Sequence, residues 1–344
     1  MKIGKIRVHL NMSLLMLLLI KMSIAIPSVL SSTEPSTHDS IELHSELKET
    51  VNQHNRRLGE AKSGRSSARA PLTSSDISLC LIVKDDIDLE EWVSYHLALG
   101  VGRIYLYDNN STRVQVIPMI HRFITSGQVV YRYLSDPLPL PLRSGDPPRS
   151  KNKQAHVYKQ CIHRFKENHE FMGFIDADEY IVVKNPADTL ISILERYTNY
   201  GGLTLNWMVF GTSGHVTRPP GGLLQNYYKC HPHRNVKSIV NTKYVIDIGA
   251  DPHHFTYMNG YFAVDVNFTI VPLYANPWEG DIPNYLYETI YINHYELKSK
   301  EDYLLKVQRG RADLPDTPNP IERIEAIDSL DTMTCEFLRM PNPA

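Results

Sequence analysis

The chain has 344 residues, 42% hydrophobic and 22% charged, with 36 Lys+Arg against 38 Asp+Glu and a formal net charge of −2. That balance is globular and excludes a wholly disordered or collagen-like chain. The charge is unevenly placed: residues 1–75 carry 10 basic and 6 acidic side chains, whereas residues 76–344 carry 26 and 32. An acidic main body argues against nucleic acid as a partner, because neutralising phosphates needs a cationic surface.

Lys2, Lys5 and Arg7 precede an apolar run, Leu14–Ile20, which Lys21 interrupts and Met22–Leu30 resumes. A positive flank followed by an apolar run reads as an export signal over residues 1–30. Leu14–Ile20 alone is too short to cross a bilayer about 30 Å thick, but His9–Leu30 is long enough if Lys21 snorkels. Two readings stay open, a signal peptide cleaved near Ala25 and an uncleaved type II membrane anchor. Either one delivers the remainder to the secretory lumen. Residues 31–75 are rich in Ser, Glu, Lys and His and offer little apolar surface, so they are expected to form a disordered stem.

From residue 76 the pattern alternates strand and helix. Ile77–Val83 is a short apolar run of strand length. Leu89, Trp92, Val93 and Leu97 then recur at helical spacing, with Asp88 as the expected N-cap, Glu91 three residues on, and Gly100 as the stop. A strand over Arg103–Tyr107 leads to a helix ending near Ser126-Gly127 and bent near Pro118. A strand over Val129–Tyr133, a Pro-rich loop (Pro137 to Pro148), a helix over Lys151–Asn168 and a strand over Phe171–Ile175 follow. Such alternation predicts right-handed crossovers, a mostly parallel central sheet flanked by helices, and ligands beyond the carboxyl ends of the strands.

The last of these strands runs directly into Asp176-Ala-Asp178-Glu179-Tyr180. Two carboxylates at the exit of an apolar strand cannot both stay charged and unpaired without a large desolvation cost. A hard divalent cation, Mn2+ or Mg2+, would answer that and leave positions open for phosphate oxygens. A solvated turn is the alternative. Other chemistries lack support: the chain has no GxxxxGK[ST] and no GxGxxG, Ser213 is not in a GxSxG setting, and His253-His254 are adjacent rather than four apart. Cys80, Cys161, Cys230 and Cys335 show no zinc-type spacing, and two disulfides or buried thiols both remain open. Downstream of the export segment, sequons begin at Asn109, Asn110 and Asn267; the first two sit in a candidate ligand motif, which makes Asn267 the better acceptor.

Five segments form an ordered set: Cys80-Leu-Ile-Val-Lys-Asp-Asp, Glu90-Glu-Trp-Val-Ser-Tyr-His96, Leu99-Gly-Val-Gly102, Tyr107-Asp-Asn-Asn-Ser111 and Phe174-Ile-Asp-Ala-Asp-Glu-Tyr180. Asn206-Trp-Met-Val-Phe-Gly-Thr-Ser-Gly-His215, Val236-Lys-Ser-Ile239, His253-His-Phe255 and Ile292-Asn-His-Tyr295 extend it. The set resembles glycosyltransferase family 92, of the GT-A fold and related to family 2, over about residues 77–310. Lys84 before the acidic pair and Tyr180 in place of the usual Phe depart from the pattern without removing a group the chemistry needs.

The resemblance implies a GT-A type, Rossmann-like α/β catalytic domain over residues 76–311, with residues 312–344 as a C-terminal tail. It implies an inverting, metal-dependent transfer of a hexose, most often galactose, from a UDP-sugar to a hydroxyl of a glycan or polysaccharide in the Golgi. Asp176 and Asp178 would hold Mn2+ or Mg2+, with His294 as third ligand. Lys84, Asp108, Asn110, Ser111, Asp176 and Lys237 would face the nucleotide-sugar, Lys237 at the diphosphate. Glu279, Asp281 and His215 are the candidates for the catalytic base, with Asp251 as a rival. Trp207 and Trp278 are candidate acceptor platforms. Lys298 to Arg311 reads as an amphipathic helix with a basic end, either a packing helix or a segment closing over the diphosphate. A lumenal glycan-binding protein that keeps the fold without catalysis is the competing function.

Overall fold

A computed structural model of the chain describes residues 70–134, 153–249, 251–271, 286–310, 319–336 and 338–341. The export segment, nearly all of the stem, the Pro-rich loop, Trp278, Glu279 and Asp281 lie outside the described residues. The described residues from Pro71 onward belong to one compact unit.

The first half follows the alternation in the sequence: β1 (Ile77–Val83), α1 (Leu89–Ala98), β2 (Arg103–Asp108), α2 (Val116–Thr125), β3 (Val129–Tyr133), α3 (Lys153–Phe165) and β4 (Phe171–Phe174). The bend expected in α2 falls at Ile120, whose φ of −114° is non-helical, two residues past Pro118. Asp88 precedes α1 as expected, but its carboxylate does not cap the helix; two cations described below hold it. Glu91 likewise accepts from the Leu223 backbone N–H at 2.7 Å rather than closing a capping box.

Beyond β4 come β5 (Glu179–Val183), α4 (Leu190–Glu195), β6 (Gly202–Phe210), β7 (Lys229–Asn241), β8 (Val245–Ile248), β9 (Phe255–Tyr257), β10 (Ala263–Val264), β11 (Ile290–His294), α5 (Lys300–Arg309), α6 (Pro320–Leu330) and β12 (Met333–Thr334). The main sheet runs β3-β2-β1-β4-β7-β6-β11-β5, with β10 on β6 and β12 on β7; β8 and β9 pair separately. It is parallel from β3 to β4 and β6 to β11, and antiparallel at β4–β7, β7–β6 and β11–β5. The expectation of a mostly parallel sheet thus holds for the N-terminal half.

Alternation along the strands separates two cores. Leu79, Leu81, Ile104 and Leu106 pack on one face with α1, α2 and α4, whereas Cys80, Tyr105 and Tyr107 face α3 with Val157, Tyr158 and Ile162. Cys80 is disulfide-bonded to Cys161, which ties β1 to α3.

Residues 319–336 are no loose tail. Ile324 and Ile327 of α6 are buried in the first core, β12 pairs with β7, and Cys335 is bonded to Cys230. Asp331 Oδ2 accepts from the Gly211 N–H at 2.8 Å, and a Cβ on Gly211 would come within 2.1 Å of that oxygen. Only glycine leaves room for that contact.

Candidate functional site

Asp176 and Asp178 lie in the short turn joining β4 to β5, and the register of the neighbouring strands decides what meets them. Phe174 pairs with Ser238 on β7, so Lys237 lies one residue beyond the end of β4. Its ammonium, almost fully buried, sits 2.8 Å from Asp176 Oδ2 and 3.6 Å from Glu179 Oε2. From α3, Gln154 Nε2 donates to Asp176 Oδ1 at 2.5 Å, and the Tyr158 hydroxyl donates to the same oxygen at 3.3 Å. On the far side of the turn, His294 at the end of β11 pairs with Glu179, and the Tyr295 N–H donates to the Asp178 carbonyl at 2.8 Å. The His294 Nε2 stands 3.7 Å from Asp178 Oδ1. Lys306 Nζ, from α5, donates to Asp178 Oδ2 at 2.6 Å and to the Glu296 carbonyl at 3.1 Å.

The charges fall into two linked groups. Although burial opposes ionisation, the ammonium groups of Lys306 and Lys298 hold Asp178 far below the usual carboxylate range. Glu179, fully buried, is pushed well above its usual range by desolvation, against the pull of Lys237. One of its oxygens accepts from the Asp176 N–H at 2.8 Å, while Oε1 has no hydrogen-bond partner. Burial lowers His294, so its imidazole is neutral and able to bind a metal.

The donor set suits a divalent cation. A carboxylate oxygen and an imidazole nitrogen lie side by side, Asp176 extends from the same turn, and oxygen with nitrogen is the chemistry Mn2+ accepts. Among the described residues no three His, Cys, Asp or Glu side chains already form a cluster that could hold a metal ion, and Lys237 and Lys306 each stand against one of the carboxylates.

Trp207, on β6, is the wall behind this turn rather than an open platform. Its ring is 7% exposed, 4.3 Å from His294, 5.4 Å from His253 and 5.9 Å from His233, with Lys237 Nζ 5.8 Å from its centroid. Burial lowers both His233 and His253 to about 4.

The other expected nucleotide residues gather at the carboxyl ends of β1 and β2. Asp108 accepts from the Ser111 N–H at 2.9 Å and from the Tyr131 hydroxyl at 2.8 Å. Asn110 takes φ +56° and accepts from the Tyr133 hydroxyl at 2.6 Å. Ser111 Oγ accepts from the Asp85 N–H at 2.9 Å, while Asp85 Oδ1 accepts from the N–H groups of Thr112 and Arg113 at 2.7 and 2.6 Å. Lys84 Nζ donates to the Arg309 carbonyl at 3.0 Å, and the Arg309 guanidinium returns bonds to the carbonyls of Lys84 and Asp85. Both loops are thus laced to each other and to α5.

The structure brings Asp176, Asp178, Lys237, His294 and Trp207 into one group and Lys84, Asp108, Asn110 and Ser111 into a second. His215 joins neither: its Nε2 donates to the Asn226 carbonyl at 3.0 Å. Asp251 is occupied by His254 at 3.0 Å and the His253 N–H at 2.7 Å, and is lowered to about 2. Sequence reasoning passed over Gln154, Tyr158 and Glu179, and it read the basic end of α5 without singling out Lys306. Glu179 directly follows the acidic pair, which was the available signal.

An α/β domain with an acidic turn at a strand exit, faced by buried lysines, is the class of protein these elements define. The family description Glycosyltransferase family 92 matches residues 81–307, and the chain belongs to that family. A family 92 protein of Oryza sativa subsp. japonica is 31% identical over 142 residues, 40% of this chain and 22% of that protein. One from Arabidopsis thaliana is 26% identical over 185 residues, 50% of this chain and 30% of that protein. The chain thus spans less than a third of the length of these curated relatives. Among solved structures, a mannosyltransferase from Pyrobaculum calidifontis in complex with GDP-Man and Mn2+ aligns with a TM-score of 0.31 and 12% identity, over 82% of this chain and 76% of that one.

Proposed function

We propose that the chain transfers a hexose, galactose foremost, from a UDP-sugar to a hydroxyl of a glycan or polysaccharide, with inversion at the anomeric carbon. Family membership supports glycosyl transfer. The observation that carries the site is the pair Asp176 and Asp178 at the exit of β4, each already meeting a cation.

In the transfer, the bond from the anomeric carbon to the β-phosphate oxygen breaks and its electron pair stays on the phosphate. The acceptor oxygen supplies the pair for the new bond, and its proton passes to a base. Glu279 and Asp281 are the candidates for that base, since His215 lies outside the site, and a carboxylate within hydrogen-bond reach of the acceptor suits the role. Asp178 and His294, with Asp176, would hold Mn2+ or Mg2+, which when bound supplies charge stabilisation to the departing diphosphate. Lys237 fixes the orientation of Asp176. Asp108, Asn110 and Ser111 offer polar groups at the ends of β1 and β2 for uracil and ribose.

Entry into the secretory pathway, with the domain in the Golgi lumen behind an N-terminal membrane anchor, fits the pairing of all four cysteines, since disulfides are rare where thiols are kept reduced. Among the described residues no helix is long and apolar enough to cross a membrane.

The test is UDP release by the full-length chain across a panel of UDP-sugars, with and without Mn2+, followed by linkage analysis of any product. Metal-dependent turnover of at least one donor is expected, and Asp178→Asn should lower it by about 10²-fold or more. The amide keeps an acceptor for Lys306 but loses the charge that faces it, so the melting temperature should fall by several degrees, and activity is compared at a temperature where the variant is folded. No turnover with any UDP-sugar, or full activity in Asp178→Asn, would overturn the reading.

A further inference from the structure

Three lysines approach the carboxylates of the site, and they differ in what else they hold. Lys237 is 1% exposed and locked between Asp176 and Glu179. Lys298 is 12% exposed and lies 2.5 Å from Asp88 and 3.4 Å from Asp86, where Arg218 also meets Asp88. Lys298 neutralises two buried acids, and Lys237 is itself buried with Asp176 as its counter-charge, so neither is free to move without a large cost. Lys306 is different. Its side chain is 28% exposed, it rises from a surface helix, and among the described residues Asp178 is the carboxylate it bonds, with the Glu296 carbonyl as its second acceptor.

We propose that Lys306 is an exchangeable cation of the donor site. It neutralises Asp178 while the site is empty, and it moves onto the diphosphate of the nucleotide-sugar when the donor and its divalent ion arrive. This rests on the glycosyltransfer reading above and adds a residue to it. A divalent ion at Asp178 and an ammonium 2.6 Å from the same carboxylate repel each other, so the two compete for one place. The anion that enters with the ion is the diphosphate, and a displaced ammonium on a flexible stem is a fitting partner for it.

The anchoring of α5 favours a side-chain move over a melting of the helix. Ser299 caps the N-terminus, accepting from the Asp302 N–H at 3.1 Å, and Lys298 just before it is held by Asp86 and Asp88. At the other end, Arg309 is clasped to Lys84 and Asp85, and Gln308 accepts from Arg113 at 3.0 Å. The helix therefore bridges the loops after β1 and β2 to the acidic turn after β4, and Lys306 extends from its last turn toward that turn. During transfer Lys306 keeps its proton: it hydrogen-bonds the phosphate oxygen that gains the electron pair and hands nothing over.

The experiment compares wild type, Lys306→Ala and Lys306→Arg as full-length chains, by calorimetric titration of Mn2+ alone, then of UDP in saturating Mn2+, and by turnover of the donor that wild type accepts. Lys306→Ala should bind Mn2+ alone about 3- to 10-fold more tightly, because the competing charge is gone. It should also bind UDP about 10-fold more weakly and turn over about 10²-fold more slowly. Lys306→Arg should recover much of the UDP affinity. A purely structural salt bridge would move neither affinity, or would weaken both together, and either result overturns the exchange. Wild type that turns over a UDP-sugar while Lys306→Ala keeps wild-type turnover overturns the exchange alone. Wild type that neither binds Mn2+ nor releases UDP overturns the glycosyltransfer reading beneath it, and the exchange with it.

Discussion

His96 is held neutral from both sides. Its Nδ1 donates to the Trp92 carbonyl at 2.9 Å, and its Nε2 accepts from the Ile181 N–H at 3.3 Å, joining α1 to β5 behind the acidic turn. Both bonds belong to one neutral tautomer. Burial lowers this imidazole from 6.5 to about 3. As the pH falls below 6.5, the unfolded imidazole takes up a proton and the folded one does not, so stability present above 6.5 is lost on acidification. Between pH 6.5 and 5 the loss from this one group is about 1.5 kcal/mol. Denaturant titrations at the two pH values should show wild type losing that much more than His96→Gln; equal losses in both would sink the assignment. The comparison cancels Glu179, whose raised value acts with the opposite sign. Motif position made Asp176 and Asp178 readable in the sequence. Lys306 was harder, because its partner Asp178 lies 128 residues away and only folding joins them.

At the scale of elements, local periodicity carried β1 through β4 and α1 through α3, since each forms from its own stretch of chain. The antiparallel insertion of β7 between β4 and β6 was not readable, because pairing order is set by long-range packing rather than by local pattern. For the same reason α6 passed for a tail. It shows only Ile321, Ile324 and Ile327 at helical spacing inside a Pro-rich, acidic stretch, and its burial depends on the face it meets. Asp328 and Asp331 then bind Thr212 and Gly211, directly after β6. The Cys230–Cys335 bond closes a loop of 105 residues, worth up to about 4.7 kcal/mol on a chain-entropy view. Cys335→Ser should lower the unfolding free energy by about 2–4 kcal/mol and speed proteolytic loss of the segment after α5. An unchanged denaturation midpoint would show that the helix contacts alone hold it.

For the whole molecule, the near-neutral charge of −2 averages a basic leader against an acidic domain, and part of that acid is interior rather than surface. Asp86, Asp88, Asp108, Asp178 and Glu179 are all buried. The lumenal setting proposed for the domain has its own readout. Asn267 and Thr269 are exposed on a turn in which Asp265 Oδ1 accepts from both their N–H groups, at 2.8 and 2.9 Å. Asn109, by contrast, is buried against Lys153, and the Asn110 side-chain oxygen is taken by Tyr133. The chain secreted from eukaryotic cells should therefore carry a glycosidase-sensitive mass that Asn267→Gln removes, whereas an unshifted wild type would speak against lumenal passage.

Gln154, Tyr158 and Cys161 recur at i, i+4 and i+7 on α3, one stripe on a single helix face. Two of them grip Asp176 and the third is welded to the strand beneath. The weld fixes the phase of the helix: α3 can neither slide by a turn nor roll without breaking a covalent bond. A reducing assay buffer would release that phase and loosen the hold on Asp176 before the domain itself comes apart, so a weak activity measured in excess thiol would describe the buffer as much as the enzyme.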